Sequence, residues 1–308
     1  MAVLASIAPI FIVIALGAWG ARRDFFPPAF IGPANRLTYY LAIPALIFRS
    51  VGKAPLHEAF QPLPALAAVL AQLAAWGLAV AVSSLIFDRH SAASGKRASF
   101  MQGAIHGNQA YIGLAVIFYA LGEAGLNTVA LVAAVIIIMQ NLLAVVSLTR
   151  WGMGGSATVS PVGAVLKNPI IISSAAGLAW SLGGLGLPAV VDRTLGILGG
   201  LGLPLALLII GATLSQGRLG GSWLALILMS GLKLLVMPAV GWGMLWLMGQ
   251  RGLPAEVTVI LLASPLATIT VIMAGQLGGD ARLSSEGVTV THALSAFTYS
   301  LWLLLFKA

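Results

Sequence analysis

The chain has 308 residues, of which 59% are hydrophobic and only 8% charged, with a mean hydropathy of +1.01. A soluble domain carries roughly a quarter charged residues, so this chain lacks the polar surface to face water, and lipid must be its main solvent. The net charge of +8 does not mark a nucleic-acid binder, because the cations stand singly at the ends of apolar runs, and the absence of cysteine excludes disulfides and thiolate chemistry.

In chain order, ten apolar spans are predicted at about 3–20, 34–52, 63–87, 98–120, 126–149, 164–182, 190–214, 222–248, 255–277 and 284–306. Each has the roughly 20 residues that a hydrocarbon core of ~30 Å requires. The first span has no basic segment before it and no clear small-residue cleavage site, so it reads as a retained helix. Loops after the odd-numbered spans hold ten Lys or Arg, among them Arg22, Arg23, Arg89, Lys96, Arg97 and Arg150, against five on the other side. The positive-inside rule then places both termini on the non-cytoplasmic side of the cytoplasmic membrane.

Two spans are interrupted in matching places. One reads His106-Gly107-Asn108-Gln109-Ala110-Tyr111-Ile112-Gly113 and the other Ala263-Ser264-Pro265-Leu266-Ala267-Thr268-Ile269-Thr270, with 157 positions from Asn108 to Pro265. Other landmarks recur at similar offsets: Ile7-Ala8-Pro9-Ile10 and Lys167-Asn168-Pro169-Ile170, Ala18-Trp19 and Ala179-Trp180, Ile43-Pro44-Ala45-Leu46 and Leu203-Pro204-Leu205-Ala206, Leu121-Gly122-Glu123 and Leu277-Gly278-Gly279. The expected fold is therefore an all-α integral membrane protein of ten transmembrane helices in two five-helix repeats, 1–149 and 164–308, divided by a Gly- and Ser-rich cytoplasmic connector at 150–163. An odd number of spans per repeat inverts the second repeat relative to the first.

Breaks at corresponding points of two repeats point to a transporter's midplane site. Pro265 removes a backbone donor, and Gly107 and Gly113 make unwinding around Asn108 cheap. Freed backbone groups cost several kcal/mol inside a bilayer unless they are buried in protein or line a wet cavity. Half-helix N-termini, carrying partial positive charge and free N–H groups, favour an anion. The candidate substrate site is thus Gly107, Asn108, Gln109, Gly113, Ser264, Pro265 and Thr268. The alternative use of such Pro and Gly residues is to kink helices for packing.

The segments Leu41-Ala42-Ile43-Pro44-Ala45-Leu46-Ile47-Phe48, Gly107 to Gly113, Pro204 to Ala212 and Leu232-Lys233-Leu234-Leu235-Val236-Met237-Pro238 resemble hallmarks of the auxin efflux carrier family, in order and over essentially the whole chain. That family includes the plant PIN carriers and bacterial permeases for malate, malonate and related carboxylates. The resemblance implies a scaffold of helices 1, 2, 6 and 7 and a mobile transport part of helices 3–5 and 8–10, with broken helices 4 and 9 crossing at the site. Where family members usually carry Pro after the helix-4 Asn, this chain has Ala115, so helix 4 is expected to rely on Gly113 for its break.

The remaining intramembrane polar residues are few. No Asp or Glu falls in the middle of a span; Asp88, Glu256 and Glu286 lie near ends. That pattern argues against a carboxylate proton relay and suits an organic anion as cargo. Lys233 either compensates charge near the anion or snorkels towards the cytoplasmic face, while Arg49 and Lys53 read as snorkelling at the outer face. Gln140 and Asn141 are placed beside Asn108 in the cavity, with interhelical bonding as their alternative. His106 and His292 are candidate coupling groups as well as ordinary packing residues. His57 and His90 fall in loops, and no metal-ligand set or cofactor motif is present. The absence of a phosphate-binding loop removes ATP as the direct energy source.

The function read from these features is secondary transport of small organic anions by elevator-type alternating access, with no catalytic residues. Expected partners are the organic anion and the lipid bilayer, without nucleic acid, and a homodimer is compatible with the reading. An anion-sensing receptor, a channel and an intramembrane enzyme are the rivals. An aspartyl protease needs two intramembrane carboxylates, which are missing, and a serine protease is left only His106 and His292 as bases.

Overall fold

The computed structural model describes residues 2–53, 61–87, 91–152, 168–184, 186–215, 217, 220 and 222–307. The connector beyond Gly152, and with it Asp88, His57 and His90, lies outside the described residues. The described chain is helical apart from turns and a single isolated β-bridge. Six helices are long and apolar enough to cross a membrane, which makes this a multi-pass membrane protein.

We label the helices α1 (Ala2–Arg22), α2 (28–53), α3 (Pro62–Ile86), α4a (Ser91–Gly103), α4b (109–121), α5 (123–151), α6 (Pro169–Leu182), α7 (Ala189–Leu214), α8 (Trp223–Leu247), α9a (Leu253–Leu262), α9b (Ile269–Gln276) and α10 (Ala281–Lys307). Between α4b and α5 the chain folds back at Gly122, whose φ is +71°, and Gly125 comes to rest on Ile117. After α9b it turns at Gly278, with φ +82°. Left-handed backbone of this kind favours glycine, and these are the two glycines that align between the halves of the sequence.

The interior is built from small residues, as packing in lipid favours. On α3, Ala67, Ala68, Ala71, Ala75 and Ala79 are fully buried while Leu66, Leu73, Leu78 and Leu85 point outward. Helix α1 runs along α7, α2 along α6, and α3 lies against α5 and α8. The α1–α7 contact brings backbones together: Gly211 of α7 rests on the carbonyl of Ile14, and Gly17 of α1 rests on that of Leu208. Gly211→Ala therefore forces a Cβ into a main chain that cannot yield, and is expected to destabilise the fold by about 3 kcal/mol. Thermal melting in detergent checks this against Gly243→Ala, where a Cβ meets open space.

Local rules in the sequence account for several element ends. Asn168 caps α6, its Oδ1 accepting from the N–H of Ile170 at 2.9 Å, with Pro169 as the first helical residue. In α8 a π turn spans Leu232–Val236 just before Pro238. Pro238 has no N–H to offer the Leu234 carbonyl one turn back, and Trp302 of α10 donates its indole N–H to that oxygen at 3.0 Å.

One expectation is corrected at the ends of α2 and α7. Arg49 and Lys53 do not simply reach for the membrane surface. Arg49 Nε lies 2.7 Å from Asp192 Oδ1 and Lys53 Nζ 3.1 Å from Oδ2, so one carboxylate fastens the end of α2 to the start of α7.

Candidate functional site

Helices 4 and 9 are both interrupted, and the two gaps meet. Gly107 and Leu266 face each other in an antiparallel bridge. The Asn108 N–H donates to the Pro265 carbonyl at 2.7 Å and the Ala267 N–H to the His106 carbonyl at 3.0 Å. Each broken strand thus satisfies backbone groups that the other freed, as a non-aqueous interior requires. Pro265 performs the role its chemistry allows: it has no N–H, and its carbonyl takes the Asn108 bond.

The outward side of this two-residue ladder is held by side chains from the following helices. Gln140 of α5 clamps the Gly107 peptide at both ends, its Oε1 accepting from the N–H at 2.9 Å and its Nε2 donating to the carbonyl at 3.2 Å. Thr291 of α10 does the corresponding work for the second strand, its Oγ1 accepting from the Leu266 N–H at 3.0 Å. Gln140 therefore supports the crossing rather than lining a cavity. Asn141, beside it, is half-buried and donates to Ile137 of its own helix at 2.7 Å.

On the side of the ladder that the Asn108 side chain occupies stands His292. Its Nδ1 is 2.8 Å from the Val288 carbonyl and its Nε2 is 3.5 Å from Asn108 Nδ2. On the side where a Gly107 Cβ would point lie Gln109 and Lys233; that Cβ would sit 2.6 Å from Gln109 Nε2 and 2.9 Å from Lys233 Nζ. Lys233 is fully buried, so the snorkelling alternative is excluded. Its Nζ donates to the Leu262 carbonyl at 2.6 Å, at the C-terminal end of α9a. Three buried polar atoms near it, both ends of the Gln109 amide and Nδ1 of His106, have no hydrogen-bond partner. A buried group of this kind marks a place where water or cargo is expected.

The half-helix N-termini carry no side-chain caps: neither Asn108 before α4b nor Thr268 before α9b turns its side chain back on the helix. Such uncapped starts leave N–H donors and partial positive charge for an anion. Thr268 stands at the start of α9b, away from the ladder's hydrogen bonds.

Two expectations about individual residues change. Gly113 does not break helix 4: its φ of −57° and ψ of −50° are helical, and the interruption lies at 104–108. What Gly113 supplies is room, since a Cβ there would lie 2.7 Å from Ser264 Oγ. Ser264 in turn is fully buried, accepts from the Tyr299 hydroxyl at 3.1 Å and contacts the Ile260 carbonyl, so it packs the crossing. Thr291 and Tyr299 were not singled out from the sequence. No signal in the local pattern marked either of them.

Comparison with known proteins follows this geometry. The sequence matches the family model described as membrane transport protein over residues 2–163 and 161–303. It is 28% identical over 301 residues to a "Putative malonate transporter" of Rhizobium meliloti (strain 1021), covering 95% of this chain and 92% of that one. It is 27% identical over 271 residues to an "Uncharacterized transporter" of Methanothermobacter thermautotrophicus (strain Delta H), covering 87% of this chain and 86% of the relative.

Proposed function

Because the chain belongs to the membrane transport protein family, that of the auxin efflux carriers, we propose that this membrane transporter carries small organic anions, mono- or dicarboxylates of the malonate or malate kind, across the cytoplasmic membrane. It is not an enzyme. The cargo binds at the crossing of helices 4 and 9, against Asn108 and the uncapped starts of α4b and α9b. The transport part, helices 3–5 and 8–10, moves against a scaffold of helices 1, 2, 6 and 7 and exposes the site to each side in turn. Both termini lie on the non-cytoplasmic side.

The observation that carries this reading is the paired interruption itself, with its backbone bridge and its uncapped half-helices. Paired breaks at corresponding points of two halves are where carriers of this construction bind their substrates, and the uncapped half-helix starts are left free to meet one. Three further features support it. No carboxylate hydrogen bonds at the crossing among the described residues, so a carboxylate cargo meets amides, an imidazole and an ammonium. The pairing of α1 with α7 and of α2 with α6 is what two interleaved, inverted five-helix repeats produce, and the matched left-handed glycines 122 and 278 agree with them. The relative from Rhizobium meliloti, similar along nearly its full length, is named for malonate.

The test is uptake of labelled malonate, malate and indole-3-acetate into proteoliposomes, for wild type and Asn108→Ala. Saturable, counterflow-capable uptake of one acid is expected, lowered at least about tenfold by the substitution, the equivalent of about 1.4 kcal/mol. Binding without flux would make the protein a receptor, and flux without saturation a channel. Full activity in Asn108→Ala would move the site elsewhere.

A further inference from the structure

Resting on that reading, we infer that His292 is a proton-binding site that travels with the cargo, so that each anion moves with one proton taken up by the protein. The orientation of the ring fixes its tautomer. Nδ1 lies 2.8 Å from the Val288 carbonyl, which can only accept, so Nδ1 carries a hydrogen. In the neutral ring Nε2 is then a bare acceptor, and it faces the Asn108 amide at 3.5 Å, Nδ2 being the donor. With its NH2 group turned to His292, the donor end of the Asn108 amide is directed to the ring and not to a carboxylate.

Protonating Nε2 reverses this. Two donors cannot face each other, so the Asn108 amide rotates, its oxygen accepts from Nε2–H, and its NH2 group turns to the cargo. The same event adds a positive charge next to it. Anion and proton therefore bind cooperatively at two adjacent groups, each improving the other's affinity by an equal factor. Histidine is the side chain whose charge changes nearest neutral pH, and an anion beside the ring favours its protonated form. The proton comes from solution on the side of loading and returns to solution on the side of release; no bond other than N–H forms or breaks.

No other group nearby is placed to do this. The titratable side chains on the elements packed around α10 are His106 in the helix 4 break, Lys96 and Arg97 near the start of α4a, Lys233 on α8, Glu256 at the start of α9a and Arg22 at the end of α1. On α10 itself, Glu286 is paired with Arg282, and Tyr299 donates to Ser264. His106 and Lys233 lie near Gly107 and Gln109, and neither hydrogen bonds to Asn108.

The first experiment needs no flux: nitrogen NMR of protein labelled in its histidines, reconstituted in bilayers at pH 7.5, with and without saturating malonate. The His292 resonances, assigned by their loss in His292→Gln, are expected to change from one bare and one protonated ring nitrogen to two protonated ones when malonate binds. A ring that binds malonate and stays neutral overturns the inference. The second experiment reads proton entry with a pH dye trapped in empty vesicles during net malonate uptake, with malonate-loaded counterflow vesicles, where inward and outward protons cancel, as the zero. One proton per malonate is expected in wild type and none for whatever net uptake remains in His292→Gln. Equal proton entry in the variant would mean that the proton rides on the acid and not on His292. Absence of saturable uptake of any acid in wild type would instead refute the proposed function.

Discussion

Gln140→Leu is expected to lose saturable uptake and to melt well below wild type. The substitution keeps the side chain's bulk while leaving both the N–H and the carbonyl of the buried Gly107 peptide without their side-chain partners. Each orphaned group costs about 1–3 kcal/mol, so the loss is about 2–6 kcal/mol in all. Thr291→Val orphans only the Leu266 N–H, and its effect is expected to be about half as large. Melting curves of both variants in one detergent, read beside malonate uptake, decide the matter. If Gln140→Leu melts and transports as wild type does, the Gly107 peptide is not held by that amide.

Lys233→Met is expected to separate stability from transport. The side chain is fully buried, its Nζ donates to the Leu262 carbonyl, and among the described residues no carboxylate pairs with it. Taking a charge out of water costs several kcal/mol, and replacing a buried charge by an apolar side chain of similar volume is often neutral or stabilising. The variant should therefore melt at or above the wild-type temperature. Its malonate uptake should fall at least about tenfold, because a lysine that is charged in the presence of the anion raises the affinity at Asn108 through a low-dielectric interior. A variant that melts lower yet transports normally would assign the lysine to the fold instead.

The sequence made the membrane class and the two interruptions legible because both depend on local composition: apolar runs of bilayer length, and Gly or Pro within them. It also made the Lys233 neighbourhood visible as an anomaly, since a lysine inside a span must be either paired, buried or reaching out. Which of these holds depends on the π turn at Leu232–Val236 and on α9a ending beside it, and neither is written in the residues around 233. The same limit applies to Gly113 and Ser264. Glycine signals either freedom of φ or want of space, and only the approach of another helix tells them apart; here it is space, with Ser264 filling it. Gln140 and Asn141 look alike as amides on one helix, yet lying one residue apart they point in different directions, one to the crossing and one to its own backbone. For Arg49 and Lys53 the missing partner, Asp192, is well over a hundred positions away. Long-range partners of this sort escape any reading of local pattern.

The ladder at the crossing has one further consequence. Its two rungs are peptide groups, which every residue but proline supplies in the same form, and the one proline present sits where no donor is needed. Substitution of side chains at 106–108 and 265–267 can therefore change the surface of the crossing without dismantling its frame, provided each new side chain fits the space. Selectivity and architecture are held in separate parts of the same few residues, and a transporter so constructed is free to change its cargo while keeping its shape.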